Sequence, residues 1–428
     1  MAALTRIVPP RHIKGVVIPP GDKSISHRAL MLGAIAQGTT RISGLAPGDD
    51  VRHTLAALRA VGVCIEESAG SVLVEGRGIR RFLLPADIDC GNSGTTARLL
   101  AGLLAAATGE TRLIGDLSLS RRPMRRVIHP LSQMGAMITA QGSGGTLPLH
   151  IQGTAALKGI SYHCEIASAQ VKSAILLAGL YADGMTEVIE PIPTRDHTER
   201  MLKAMGAVIR RQENRTQLEP SPLRGIPIRV GGDFSSAAYW IALGVLSRSA
   251  DIWVRGVNLN PTRTGFLNML GRMGARIDVV SIPGDIEPEG DVKGTFSELH
   301  GVEVGEAEAA SMIDELPLLA VIASQAHGIT RIRGAAELRV KESDRIDAIV
   351  TSLRTMGASI EAREDGFEVH GPTLLQGTTL EGFGDHRIIM SLAIAANIAE
   401  GESQFPDTNW VHISYPGFFD ELRRLTIT

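Results

Sequence analysis

Two alternating phrases of apolar and polar positions organise this chain. In the first, an apolar helix pattern ends on a hydrophobic residue, a glycine and a small residue, and a short apolar strand pattern follows. It reads LRAVGVCI around Gly62, LSQMGAMI around Gly135, LKAMGAVI around Gly206, LGRMGARI around Gly274 and LRTMGASI around Gly357. Glycine just past a helix takes the left-handed conformation without a Cβ penalty, so each of these glycines is read as a helix terminus. The end of the chain, FFDELRRLTIT, reads as a sixth copy cut short before its glycine. In the second phrase, small polar residues lead into an Ala/Leu/Ile-rich helix, then a Gly-containing turn and a short strand. Its copies are KSISHRALMLGAIAQGTTRI, NSGTTARLLAGLLAAATGETRL, SAQVKSAILLAGLYADGMTEVI, DFSSAAYWIALGVLSRSADIWV, DELPLLAVIASQAHGITRI and DHRIIMSLAIAANIAEGESQF.

A period of roughly 70 residues means stacked supersecondary units rather than one continuous core. Six such units in 428 residues divide into two α/β domains of three, each with apolar helices inside and sheets outside. The division falls near Val230–Asp233, after the third unit. A leading strand, Ile7 to Ile18, is left over and is assigned to the C-terminal domain, which lacks its sixth strand. The expected domains are therefore 20–231 and, discontinuously, 1–19 plus 232–428. The chain would cross twice between them, at Pro19–Gly21 and Gly231–Asp233.

Charge and composition narrow the function classes. The net charge is −3 and the pI about 6.5, so no global field draws the chain to nucleic acid or to an anionic membrane. Cys64, Cys90 and Cys164 have no ligand spacing and read as free, mostly buried thiols of a reducing compartment. The opening MAALTRIVPPRHIKG lacks the apolar core of a signal peptide, and no apolar run is long enough to span a bilayer. A soluble cytoplasmic protein without a metal site is expected.

The chemistry sits where the second-phrase helices begin: Lys23, Ser24 and Arg28; Asn92, Ser93, Gly94, Thr95 and Arg98; Ser168, Gln170 and Lys172; Asp233, Ser235 and Ser236; Asp314 and Glu315; Asp385, His386 and Arg387. Singly, Ser, Asp and Asn at such positions are helix caps. Repeated units, however, should aim equivalent termini the same way, so several would converge on one cleft between the domains. Helix N-termini carry partial positive charge and free N–H donors that suit phosphate or carboxylate. Cations at the same ends oppose the helix dipole unless an anion binds. The clusters SRRPMRR (Arg121, Arg122, Arg125, Arg126) and RVKESDR (Arg339, Lys341, Arg345) add guanidinium forks. Asp314 and Glu342 lie among these cations. A carboxylate there is expected to be ionised at neutral pH and available as a base, which anion binding alone would not need.

Nine motifs in order, PGDKSISHRAL, DCGNSGTTARLL, RRPMRR, SAQVKSAILLAGL, RDHTERML, GDFSSAAYW, DELPLLAV, RVKESDR and GDHRIIMSL, make the chain resemble the 5-enolpyruvylshikimate-3-phosphate synthases end to end. SAQ and RDHTE are characteristic of the bacterial second class. The resemblance implies two inside-out α/β domains, no cofactor, a monomer, and two small-molecule substrates. It implies that Lys23, Ser24, Arg28, Ser168, Ala169, Gln170, Arg195, Asp314 and Lys341 bind shikimate 3-phosphate. Lys23, Gly94, Arg122, Gln170, Arg345 and Arg387 would surround phosphoenolpyruvate. Asp314 would act as base, Glu342 as proton donor, and Lys23 would stabilise charge on the phosphate. It also implies a glyphosate target, with Gly94 marking a sensitive enzyme. Two departures stand out: Ile413 occupies the place of a C-terminal lysine that some members use at the phosphoenolpyruvate site, and Glu337 stands where others have Asn. The sister enzymes acting on UDP-N-acetylglucosamine fit less well, because Ser24 rather than Asn follows Lys23 and the segment from Thr108 to Arg122 has no Cys. A non-catalytic metabolite-binding repeat protein would leave Asp314 and Glu342 without a purpose.

Overall fold

A computed structural model describes residues 4–426. The chain divides into two compact units, one of Gly21–Val230 and one formed by the residues up to Pro20 together with those from Gly231 onward. The first unit carries three four-stranded sheets of the same plan. The middle one shows it clearly. Strand Asp87–Asp89 leads through the buried helix Gly94–Leu104 to the parallel strand Gly109–Ile114. Helix Arg125–Gln133 follows, and then the antiparallel strands Met137–Gly142 and Thr146–Gly153 complete the sheet. The sheet around helix Ala169–Gly179 repeats this βαβαββ order, and the sheet around Lys23–Ile35 has the same strand arrangement with its first strand, Pro227–Arg229, supplied from the end of the unit.

The second-phrase helices are apolar all round because they are covered on every side. Every residue from Ile25 to Ile35 is buried, as is every residue from Phe234 to Val245. Close approach explains the glycine inside one of them. A Cβ on Gly102 would lie 2.3 Å from the Ala174 carbonyl oxygen, so helices Gly94–Leu104 and Ala169–Gly179 touch backbone to backbone. The first-phrase glycines take the left-handed conformation their pattern calls for, with φ of 85° at Gly62, 108° at Gly135, 98° at Gly206, and 92° at both Gly274 and Gly357.

The second unit repeats the plan twice in full. Its third sheet is reduced to Thr5–Ile7 paired with Ser403–Phe405, and helix Phe418–Thr426 ends the described chain. The leading segment departs from expectation. Instead of one strand over Ile7–Ile18 there are two, Thr5–Ile7 and Ile13–Val17, in different sheets. Pro9 and Pro10 intervene, and with no N–H to give to a ladder they end the first strand. In each unit the first sheet borrows a strand from a distant part of the chain. Pro227–Arg229 lies parallel to Gly38–Ser43, and Ile13–Val17 lies parallel to Ala250–Asn258.

Candidate active site

In the Gly21–Val230 unit, the buried helices open with capping residues that leave their neighbours to do chemistry. Asp22, Ser93 and Ser168 accept from the backbone N–H of Ile25, Thr96 and Val171. Asp22, not Ser24, is thus the cap of the first helix. Lys23 follows it, with its Nζ 2.9 Å from Asp50 Oδ2. Arg28, one turn further, is nearly enclosed: Nε donates to Thr198 Oγ1 at 2.6 Å, Nη2 to Ser173 Oγ at 2.8 Å and Nη1 to the Ser24 carbonyl at 2.9 Å. A guanidinium held on three sides has one orientation to offer a ligand.

The Gly94 helix presents a second group. Arg98 Nη1 donates to Gln170 Oε1 at 2.6 Å, and Gln170 Nε2 donates to Thr95 Oγ1 at 2.9 Å. Arg122 is buried, with Nη2 donating to Asn92 Oδ1 at 2.7 Å. A Cβ built on Gly94 would stand 3.0 Å from Arg98 Nη1 and 3.3 Å from Arg122 Nη1. Glycine here keeps two guanidinium tips close to the start of the helix. Ser168, Ala169 and Gln170 lie half-buried at the opening of the third helix, and Arg195 is half-buried just before helix His197–Ala204.

Not every cation joins these groups. Lys172, read from the sequence as one of the cations at the helix openings, is fully buried and paired with Glu190 and Glu199. It lies one turn into a helix that is covered on all sides, so its charge turns inward. Arg121 and Arg125 are exposed, and Arg339 is taken up by Asp344 and Asp347.

In the second unit the expected acids and bases gather on one guanidinium. Arg345, fully buried, places Nη2 2.6 Å from Glu342 Oε2, Nη1 3.3 Å from Asp314 Oδ1 and Nε 2.7 Å from Asp385 Oδ2. Arg387 Nε is 3.5 Å from the same Asp314 oxygen. Asp385 also caps its own helix by accepting from the Arg387 N–H at 2.8 Å. One buried carboxylate therefore starts a helix and neutralises a buried cation. Burial would lower the pKa of both arginines, but the carboxylates outweigh it, Asp385, Glu342 and Asp314 at Arg345 and Asp314 first at Arg387, and both are raised. Lys341, half-buried next to Glu342, is pushed the other way. Desolvation, aided by Arg345, lowers it against the pull of Asp314, Glu342 and Glu337. Ile413 is buried in the turn Asn409–Ile413 and brings no charge. Among the described residues no group of three or more His, Cys, Asp or Glu could hold a metal ion.

The family model described as EPSP synthase (3-phosphoshikimate 1-carboxyvinyltransferase) matches residues 7–422. The chain belongs to the EPSP synthase family. Relatives agree over nearly their whole length. The 3-phosphoshikimate 1-carboxyvinyltransferase of Bacillus pumilus (strain SAFR-032) is 45% identical over 421 residues, which is 97% of this chain and 98% of the relative. That of Parasynechococcus marenigrum (strain WH8102) is 47% identical over 424 residues, 96% of each. A solved EPSP synthase from Acinetobacter baumannii superposes with a TM-score of 0.86 at 42% identity, over 97% of this chain and 96% of that one. Within this EPSP synthase frame, sequence reasoning missed the groups that hold the expected ligands in place. Asp50, Ser173 and Thr198 are examples: Ser173 lies in a helix whose pattern signals only burial, while Asp50 and Thr198 stand in the first turns of amphipathic helices, where a polar residue reads as solvated. Arg98 and Asp385 carried a signal, a charged residue at the opening of an apolar helix, but not their partners.

Proposed function

We propose that this chain transfers the enolpyruvyl group of phosphoenolpyruvate to the 5-hydroxyl of shikimate 3-phosphate and releases phosphate. Membership of the EPSP synthase family supports the reaction. The observation that carries the residue assignment is the sharing of Arg345 by Asp314 and Glu342 beside Lys341. It puts two carboxyl groups of separate loops on one guanidinium, so that the ionised one can take a proton and the other, when protonated, can give one.

In this reading Asp314 takes the 5-hydroxyl proton while that oxygen attacks C2 of phosphoenolpyruvate, and Glu342 gives a proton to C3, which becomes a methyl group. The tetrahedral ketal then returns a methyl proton to the Glu342 carboxylate while its C2–O bond to phosphate breaks, which re-forms the double bond, and the phosphate leaves with the proton that Asp314 took. Lys23, Arg122, Arg345 and Arg387 stabilise the charge that moves onto phosphate and hold the carboxylate, with Gly94 and Gln170 completing the phosphoenolpyruvate site. Lys23, Ser24, Arg28, Ser168, Ala169, Gln170, Arg195, Asp314 and Lys341 bind shikimate 3-phosphate. We also read the protein as a cytoplasmic monomer that binds neither nucleic acid nor membrane. Among the described residues no helix is long and apolar enough to cross a membrane, and light scattering tests the monomer.

The reaction is tested by incubating the protein with each substrate alone and with both. Phosphate should appear only with both, mole for mole with a product whose mass is that of shikimate 3-phosphate plus phosphoenolpyruvate less phosphoric acid. Phosphate released from phosphoenolpyruvate alone at the same rate would reject the proposal.

A further inference from the structure

Helices Ala169–Gly179 and His197–Ala204 are joined at two adjacent levels. At one, Ser173 Oγ and Thr198 Oγ1 lie 2.7 Å apart, and both accept from Arg28. Ser173 gives its own proton to the Ala169 carbonyl at 2.6 Å, so its lone pairs face Thr198 and the guanidinium. At the other level, one residue along each helix, Lys172 Nζ lies 2.7 Å from Glu199 Oε1 and 2.8 Å from Glu190 Oε2. Lys172 is 0% exposed, and neither oxygen of the Glu199 carboxylate finds a hydrogen-bond donor, so the lysine charge is its counterpart.

Burying an ammonium and two carboxylates is a poor way to gain stability, because desolvation offsets their attraction and apolar side chains of the same volume would serve as well. What the ions supply is direction. They fix which residue of one helix faces which residue of the other, and their sequence neighbours form the Arg28 socket. We propose that Lys172, acting through Glu199, is a positioning residue that sets the Ser173–Thr198 socket and so aims Arg28 at its anionic ligand. The inference rests on the reading of Arg28 as a ligand of shikimate 3-phosphate.

Glu199→Ala is the variant of choice, because it leaves Lys172 in a one-to-one pair with Glu190. In the full-length enzyme it should raise the KM for shikimate 3-phosphate by about tenfold, while kcat and the KM for phosphoenolpyruvate stay within about twofold. Glu199→Asp keeps the carboxylate that faces Lys172 and should restore part of the loss, whereas the neutral Glu199→Gln should not. In an Arg28→Ala background, Glu199→Ala should change the KM for shikimate 3-phosphate by less than about twofold, since the residue it acts through is already gone. Glu199→Leu, which fills the volume without an acceptor, carries the same expectations if the alanine variant does not fold. A rise of both KM values together, or an undiminished effect of Glu199→Ala when Arg28 is already Ala, would overturn the inference. If Arg28→Ala raises the KM and Glu199→Ala does not, the inference alone falls. If Arg28→Ala itself has no effect, the reading of Arg28 falls and takes the inference with it.

Discussion

Asp314 is held by two guanidinium groups, Nη1 of Arg345 at 3.3 Å and Nε of Arg387 at 3.5 Å, and it is only half-buried. Asp314→Asn keeps the size and an acceptor but removes the group proposed as the base. A positioned general base contributes about 10²-fold or more, so kcat should fall by at least that factor with a modest change in KM for shikimate 3-phosphate. Steady-state kinetics decide it, and a near-normal kcat would mean that another group takes the hydroxyl proton. Gly94 offers a sharper steric test. An added methyl group would sit 3.0 Å from Arg98 Nη1 and 3.3 Å from Arg122 Nη1, both tighter than ordinary contact, and would take up space between the two guanidinium tips. A site narrowed in this way should exclude a longer anion first. Gly94→Ala should therefore raise the Ki for glyphosate far more than the KM for phosphoenolpyruvate. Equal shifts in the two constants would contradict this account. At this scale the sequence named the charged residues but not their orientation. Lys172 and Arg28 both stand near the start of an apolar helix, yet one turns inward to Glu190 and Glu199 and the other is held by Thr198 and Ser173. A helix that is apolar on every side carries no pattern to tell those directions apart.

Elements are tied together here by polar chains as well as by apolar packing. His27, Thr54, Thr96 and Ser93 link three helices of the first unit, with 2.7 Å between His27 Nδ1 and Thr54 Oγ1, 2.7 Å between Thr54 and Thr96, and 2.8 Å between Thr96 and Ser93. Thr96 donates to Ser93, which leaves Thr54 to donate to Thr96 and the His27 Nδ1–H to donate to Thr54. Burial first, then the charges of Lys23 and Arg28, hold the His27 pKa well below its usual 6.5. The folded pKa is thus below the unfolded one, and at pH values between them the unfolded chain binds the extra proton. The contribution of His27 to stability is complete above the unfolded pKa and is lost as pH falls from there toward the folded value. This group alone should cost about 1.4 kcal/mol of stability per pH unit below its unfolded pKa. Urea unfolding between pH 7.5 and 5 should show a flatter pH dependence for His27→Asn, which keeps a donor for Thr54 but cannot titrate. An unchanged slope would show that His27 is not the group responsible. The helices themselves were legible from their glycine ends and apolar runs, as Gly62, Gly135 and Gly206 illustrate. The short strand Pro227–Arg229 was not, because three residues at the rim of a sheet are set by the partner Gly38–Ser43 rather than by their own pattern.

For the whole molecule, the repeated phrase made the inside-out plan legible, since helices apolar on all sides must be covered by one another and by the strands that alternate with them. Where the plan is incomplete the repeat is a weaker guide. Pro9 and Pro10 divide the leading segment between two sheets, and the two-stranded sheet of Thr5–Ile7 and Ser403–Phe405 stands in for a full one. The central claim about the molecule is chemical: phosphoenolpyruvate loses phosphate by breaking its C2–O bond, after the 5-hydroxyl of shikimate 3-phosphate has added to C2. Phosphoenolpyruvate carrying ¹⁸O in the oxygen that bridges C2 and phosphorus tests this directly. With the wild-type protein and shikimate 3-phosphate, ³¹P NMR should find the heavy oxygen in the released phosphate. Label retained on the three-carbon fragment would mean P–O cleavage, the outcome of a phosphatase or a phosphoryl transferase, and would contradict enolpyruvyl transfer.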